Sequence, residues 1–247
     1  MCAELPAGCG RYDGRNSVGK VRAENMNITN EVVTRYLDGL YRALTPSLAE
    51  LRQQAEKDRV PVILRDTERF LASVLTMVRP RRILEVGAAV GYSSSCFAEI
   101  CGANTRITTL EADPDMYERA SENIKRLGYG KQIEIVFGDA KETIKELKPV
   151  YDFVFIDAAK SHYRAFFDGA LRLCRPGSVI VCDNVLMKAM TASDEYDTKG
   201  KYKTSIRRMR EFLEYITESD AAETSVFAAG DGISLSVVKQ DAEIQRG

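Results

Sequence analysis

The stretch RILEVGAAVGYSSS (82–95) decides the fold. Five residues of strand character, Arg82 to Val86, run straight into the small residues Gly87, Ala88 and Ala89, and a second glycine, Gly91, precedes a helix-forming run. That is the profile of a first parallel strand turning into its crossover helix at the C-terminal edge of a sheet. Downstream, β-rich runs alternate with helical ones: RITTLE (106–111), QIEIVF (132–137), YDFVFI (151–156) and SVIVCD (178–183). These runs are nearly continuous in Ile, Val, Leu and Phe, as strands covered on both faces must be. Between them, 114–127 places Met116, Tyr117, Ala120, Ile124 and Leu127 on one side of a helix. The expected architecture is an α/β, doubly wound, mostly parallel sheet.

Upstream, apolar residues from Asn27 to Val78 recur at helical spacing and predict three helices, interrupted near Pro46 and Pro61. Downstream, a helix over 201–218 precedes TSVFAA (224–229), the turn Gly230-Asp231-Gly232 and ISLSVV (233–238), an antiparallel pair that closes the sheet. Residues 26–240 are expected to form one domain. Residues 1–25, rich in Gly and charge without periodicity, read as a disordered extension, and 241–247 as a tail.

A net charge of −1 argues against coating nucleic acid by global charge and leaves room for a local basic patch. Six cysteines lack metal-ligand spacing, and four lie in apolar runs where reduced thiols pack as small hydrophobes. No apolar run approaches the ~18–20 residues that span a bilayer, and no signal-peptide core precedes the first helix. The expectation is a cytoplasmic protein without membrane association.

The turn narrows the ligand. A dinucleotide site has G-x-G-x-x-G, whereas Glu85, Gly87 and Gly91 form E-x-G-x-x-x-G. A carboxylate there repels a pyrophosphate and attracts the cationic sulfonium and ammonium of S-adenosylmethionine. Glu111, ending the second strand, suits the two ribose hydroxyls of a nucleoside. Asp139, in the Gly138-Asp139-Ala140 turn after the third strand, can accept from an adenine amine or simply cap the next helix. With Ser93, these residues form an ordered set of candidate cofactor contacts.

Asp157 ends the fourth strand, and Asp183 and Asn184 end the fifth, so three oxygen donors converge at the same sheet edge. Carboxylate and amide oxygens select a hard cation such as Mg²⁺ over zinc; the competing reading is helix capping. The lone His162 reads as a nearby helix residue. Lys160, one turn beyond Asp157, is the candidate general base for a hydroxyl acidified by the metal; otherwise it is a solvated helix-end lysine.

The segments ILEVGAAVGYSSS, LEAD, GDA, FVFIDAAKSHYRAFFD, VIVCDNVL and GDGISLSV resemble the cation-dependent O-methyltransferase family, which includes catechol and caffeoyl-CoA methyltransferases. The resemblance extends from about Asn27 to Lys239. Within the family, IDAAKSHYRAFFD, DNVLMK and the short N-terminal helices are most similar to bacterial tRNA 5-hydroxyuridine methyltransferases. The resemblance implies a class I, Rossmann-like methyltransferase sheet of seven strands and a homodimer. It also implies metal ligands at Asp157, Asp183 and Asn184, a base at Lys160, and cofactor contacts at Ile63, Ser93, Glu111, Ala140 and Asp157. The acceptor it implies is 5-hydroxyuridine at the tRNA wobble position, converted to 5-methoxyuridine, with small catechol-like or phenolic molecules as the alternative. Lys199, Lys201, Lys203, Arg207, Arg208 and Arg210 form a basic stretch suited to an anticodon-loop backbone, or an ordinary solvated helix face. Arg65, Arg79, Arg81 and Arg82 are further positive charges.

Overall fold

A computed structural model describes residues 31–240; the expected extension at 1–25, the first residues of the expected domain and the tail at 241–247 lie outside the described residues. Three helices lead: α1 (Glu31–Leu40), α2 (Pro46–Lys57) and α3 (Arg65–Val78). Thr45 Oγ1 accepts the Leu48 N–H to cap α2, and Pro46 occupies the first helical position, where no donor is needed. The alternating part follows as β1 (Arg82–Val86), α4 (Tyr92–Cys101), β2 (Arg106–Glu111), α5 (Pro114–Arg126), β3 (Ile133–Phe137), α6 (Ala140–Glu146) and β4 (Tyr151–Ile156). A short 3₁₀ turn (Lys160–His162) leads into α7 (Tyr163–Arg172), β5 (Cys174–Cys182), α8 (Lys203–Thr217), β6 (Ala222–Phe227) and β7 (Ile233–Val238).

The seven strands are ordered β3-β2-β1-β4-β5-β7-β6. The first five are parallel, and β7 runs antiparallel to both β5 and β6. Strand alternation divides the core into two layers. Ile83, Phe153, Phe155, Val179 and Val181 face α3 and α4, while Leu84, Val86, Val154, Ile156, Ile180 and Cys182 face α7 and α8. Succession reverses between β1 and β4, so a crevice opens at their C-terminal ends.

The fifth strand is longer than its expected span, 178–183. It begins at Cys174 and carries a register shift where Pro176 and Gly177 interrupt the ladder opposite Tyr151 and Phe153. A proline lacks the donor that a regular inner strand needs, which disguises the first half of β5 in the sequence. Arg175 secures this irregular part by a bond to Asp152 at 2.6 Å.

Candidate active site

A cavity of about 910 Å³ fills the crevice. Its floor is the β1–α4 turn, and the backbone there leaves no room for larger residues. Gly87 has φ +100°, and a Cβ on it would overlap the carbonyl oxygen of Asp157 on the neighbouring strand. Ala89 is left-handed at φ 47° and donates its N–H to Glu111 Oε2 at 2.8 Å. Glu111 Oε1 accepts from Ala112 and Asp113 N–H, both at 2.9 Å, so the carboxylate is fixed at the end of β2. With both sites of Oε1 taken, Oε2 keeps a lone pair for a ribose hydroxyl.

Ile63, Gly87, Ser93, Glu111, Asp139, Ala140 and Asp157 all line this cavity. Asp139 also caps α6 through the Lys141 N–H at 3.0 Å, so its capping role and its place on the wall coexist. The Lys141 backbone and ammonium hold its carboxyl below the usual carboxylate range.

Two residues expected at the cofactor are set back from the wall. Glu85 is fully buried beneath the turn, accepting from Ser93 Oγ and from Thr109 Oγ1. The cause is alternation: Glu85 shares a face with Ile83 and points toward α4, one layer below the cavity. Burial pushes its carboxyl up to about 7, against the lowering effect of the Ser93 and Thr109 hydroxyls. Gly91 stands at the start of α4 with φ 76°, where a Cβ would crowd Ile124. It shapes the turn from behind.

The N-terminal wall rests on a polar network that sequence reasoning missed. Arg52 on α2 donates to Glu68 at 2.7 Å, to the Ile63 carbonyl at 2.9 Å and to Tyr92 Oη at 3.0 Å. Tyr92 Oη in turn donates to Glu68 at 2.6 Å. Arg52 and Glu68 are 5% and 1% exposed, so this is a buried ion pair whose polar atoms are engaged. It fixes Ile63 and Tyr92, both of which line the cavity.

At the opposite wall, Asp157, Asp183 and Asn184 meet as their strand-end positions require. Asn184 sits in the left-handed region at φ 59°, a conformation asparagine tolerates, and donates to Asp157 Oδ1 at 2.9 Å. Asp183 Oδ1 accepts the Asn184 N–H at 2.7 Å. Burial, then the neighbouring negative charge of Asp157, push the Asp183 carboxyl up to about 8. Two carboxylates and the Asn184 side-chain amide, its nitrogen turned to Asp157, thus lie on one wall, and carboxylate and amide oxygens are the donor types that hard cations take. Among the described residues no group of three or more His, Cys, Asp and Glu side chains that could hold a metal ion is present.

Lys160 is half-buried beside them. Its Nζ lies 3.2 Å from Asp157 Oδ1 and donates to Tyr163 Oη at 2.8 Å. His162 lines the same cavity, edge-on to Phe166. Asp231, in the β6–β7 turn, is a further carboxylate on the wall and accepts the Lys188 N–H at 2.5 Å. Its turn was legible in the sequence, but its proximity to Asp157 and Asp183 depends on β7 lying beside β5.

The basic stretch is only partly free. Arg210 donates to the carbonyls of Thr191 and Met190 and pairs with Asp194 at 2.9 Å, holding the loop after β5. Arg207 lies 3.9 Å from Glu211. Arg208 reaches the Ser161 carbonyl at 3.4 Å, beside Lys160. Arg65 pairs with Glu56, and Arg79, Arg81 and Arg82 stand at the start of β1, the sheet edge opposite the cavity.

The O-methyltransferase family model matches residues 41–239. A catechol O-methyltransferase of Niastella koreensis is 33% identical over 210 residues, covering 83% of this chain and 92% of that protein. The chain belongs to this O-methyltransferase family. A caffeoyl-CoA O-methyltransferase of Populus kitakamiensis is 27% identical over 223 residues, covering 84% of this chain and 94% of that one. A solved O-methyltransferase from Bacillus cereus, in complex with SAH, superposes with a TM-score of 0.73 at 27% identity over 84% of this chain and 97% of that one. This O-methyltransferase is therefore S-adenosylmethionine-dependent and of the catechol and caffeoyl-CoA type. Among the described residues no helix is long and apolar enough to cross a membrane.

Proposed function

We propose that this O-methyltransferase uses a divalent cation, Mg²⁺ by its donor chemistry, to methylate one of two vicinal oxygens, and that its acceptor is 5-hydroxyuridine at the wobble position of tRNA. The observation that carries the reading is the convergence of Asp157, Asp183, Asn184 and Lys160 on one wall of the cavity. Asp157, Asp183 and Asn184 would hold the cation, which when bound acidifies an acceptor hydroxyl. Lys160 Nζ takes the proton from that hydroxyl. Ile63, Gly87, Ser93, Glu111, Asp139, Ala140 and Asp157 bind the methyl donor. Glu85 and Gly91 serve the donor site from beneath, by fixing Ser93 and the turn.

5-Hydroxyuridine offers a hydroxyl beside a carbonyl oxygen, the same chelating pair that a catechol presents. Arg208 supports the tRNA reading, because its contact with the Ser161 carbonyl in the 3₁₀ turn bearing Lys160 puts one charge of the basic stretch beside the site; Lys199, Lys201 and Lys203 would extend that charge along the same segment. The similarity to a catechol methyltransferase favours a second reading, a small phenolic acceptor. We also assign the protein to the cytoplasm, as a homodimer with one catalytic domain over 26–240.

The deciding experiment incubates the purified protein with Mg²⁺, S-adenosylmethionine and either hydroxylated tRNA or free catechols. Methoxyuridine in the digested tRNA, formed at a rate that falls steeply with salt, is the expected result. Turnover of catechols alone, with little salt dependence, moves the acceptor to the small-molecule class.

A further inference from the structure

Tyr163 opens α7 and is only 1% exposed, yet its hydroxyl stands in the polar part of the site. Oη donates to the carbonyl oxygen of Asp183 at 2.7 Å and accepts from Lys160 Nζ at 2.8 Å. The ring cannot drift, because Phe212 packs against it edge-on at 5.7 Å. A lysine amine on its flexible four-carbon stem has no preferred direction of its own. Here it has two acceptors, Tyr163 Oη and Asp157 Oδ1; the first is anchored on a backbone carbonyl, that of Asp183 just past β5, and the second on the Asn184 side-chain amide. A hydroxyl is not needed to fill this space, since a phenylalanine ring would pack as well against Phe212. The oxygen is explained by what it touches.

We infer that Tyr163 is a positioning residue of the methyl transfer: its hydroxyl, anchored on the Asp183 carbonyl, holds the Lys160 amine where a bound acceptor's proton arrives. This rests on the reading of Lys160 as the base. The residue connects that base to the strand end bearing Asp183 and Asn184, so the amine and the acceptor-binding oxygens keep one spacing. A loosened amine can still accept a proton but spends less time aligned, which lowers turnover without weakening donor binding.

The test is a double-mutant cycle of Tyr163→Phe and Lys160→Ala in the full chain, with donor affinity measured by calorimetry. Tyr163→Phe is expected to lower kcat about tenfold, a part of the ~10²–10⁴-fold that a positioned base contributes, with the dissociation constant for S-adenosylmethionine within about twofold of the parent. Lys160→Ala lowers kcat further, and the double variant turns over at the rate of Lys160→Ala, because the hydroxyl acts through the amine. Undiminished kcat in Lys160→Ala overturns the base itself. Loss in Lys160→Ala with none in Tyr163→Phe leaves the base standing and overturns the positioning role. Losses that multiply in the double variant, or a Tyr163→Phe protein that does not fold, make the hydroxyl part of the framework and overturn it equally.

Discussion

The carboxylate of Asp66 and the backbone of Gly230, 164 residues apart, are joined at 2.7 Å: Asp66 Oδ2 accepts the Gly230 N–H while Oδ1 accepts the Thr67 N–H at 2.9 Å. The start of α3 is thereby tied to the β6–β7 turn. A Cβ on Gly230 would overlap Thr67 Oγ1, and its φ is +58°, so the approach requires glycine. Leu64 on one side of the tie and Asp231 on the other both line the cavity. Asp66→Ala is expected to lower stability by about 1–2 kcal/mol and to weaken donor binding, because both walls loosen. Urea unfolding and calorimetric titration with S-adenosylmethionine measure the two effects; an unchanged unfolding midpoint contradicts the tie.

The Arg52–Glu68 pair carries a larger stake. Arg52→Met leaves Glu68 as a buried charge and frees the Ile63 carbonyl, which is expected to cost about 3–5 kcal/mol. In Arg52→Met/Glu68→Gln the stranded charge is gone, so the loss should be well below the sum of the two single losses. Denaturant unfolding of the four proteins reads this coupling. Strict additivity would show that Arg52 and Glu68 stabilise the α2–α3 layer independently.

Glu85 sets a pH dependence. Its folded-state pKa of about 7 lies above the ordinary 4.5, so the native state favours the protonated form. The stability this contributes is complete below about pH 4.5 and is lost as pH rises through 7. Glu85→Gln removes the titration while keeping an acceptor for Ser93 and Thr109. Relative to the parent, the variant should therefore gain roughly 1–3 kcal/mol between pH 4.5 and pH 8 in the ligand-free protein. Thermal unfolding at several pH values, with the difference between the two proteins plotted, tests the sign; a difference that is flat or falls contradicts it.

These residues also mark where sequence reading succeeds and where it stops. The strands β1 to β4 and the helices between them are legible because each needs only a local period, apolar on both faces for the strands and every third or fourth residue for α5. Gly87, Ser93, Glu111, Asp157 and Asp183 are legible because strand ends in a parallel sheet meet at one edge. The charge of Glu85 suggests a ligand, although its parity with Ile83 turns it toward α4, where it is buried. Arg52, Glu68, Tyr163 and Asp66 escaped for a different reason. Their partners are fixed by packing between distant segments, and neither composition nor spacing distinguishes a buried arginine from a surface one.

The cation is open to a test that does not depend on the acceptor. Asp183 is buried beside Asp157, and the positive charge of Lys160 alone does not prevent its carboxyl from rising to about 8. A divalent ion held between the two carboxylates favours their ionised forms and binds only the folded chain. Added Mg²⁺ should therefore raise the thermal midpoint of the parent protein, by an amount equivalent to about 2.7 kcal/mol when the ion is a hundredfold above its dissociation constant. The gain should be larger at pH 8 than at pH 6, since protons compete for Asp183. In Asp183→Ala the gain should disappear while S-adenosylmethionine still binds, because Glu111, Ser93 and the β1–α4 turn are untouched. A chelator should abolish methyl transfer by the parent and leave donor binding in place. Stabilisation by Mg²⁺ that persists in Asp183→Ala would locate the ion elsewhere and remove the cation from the acceptor site.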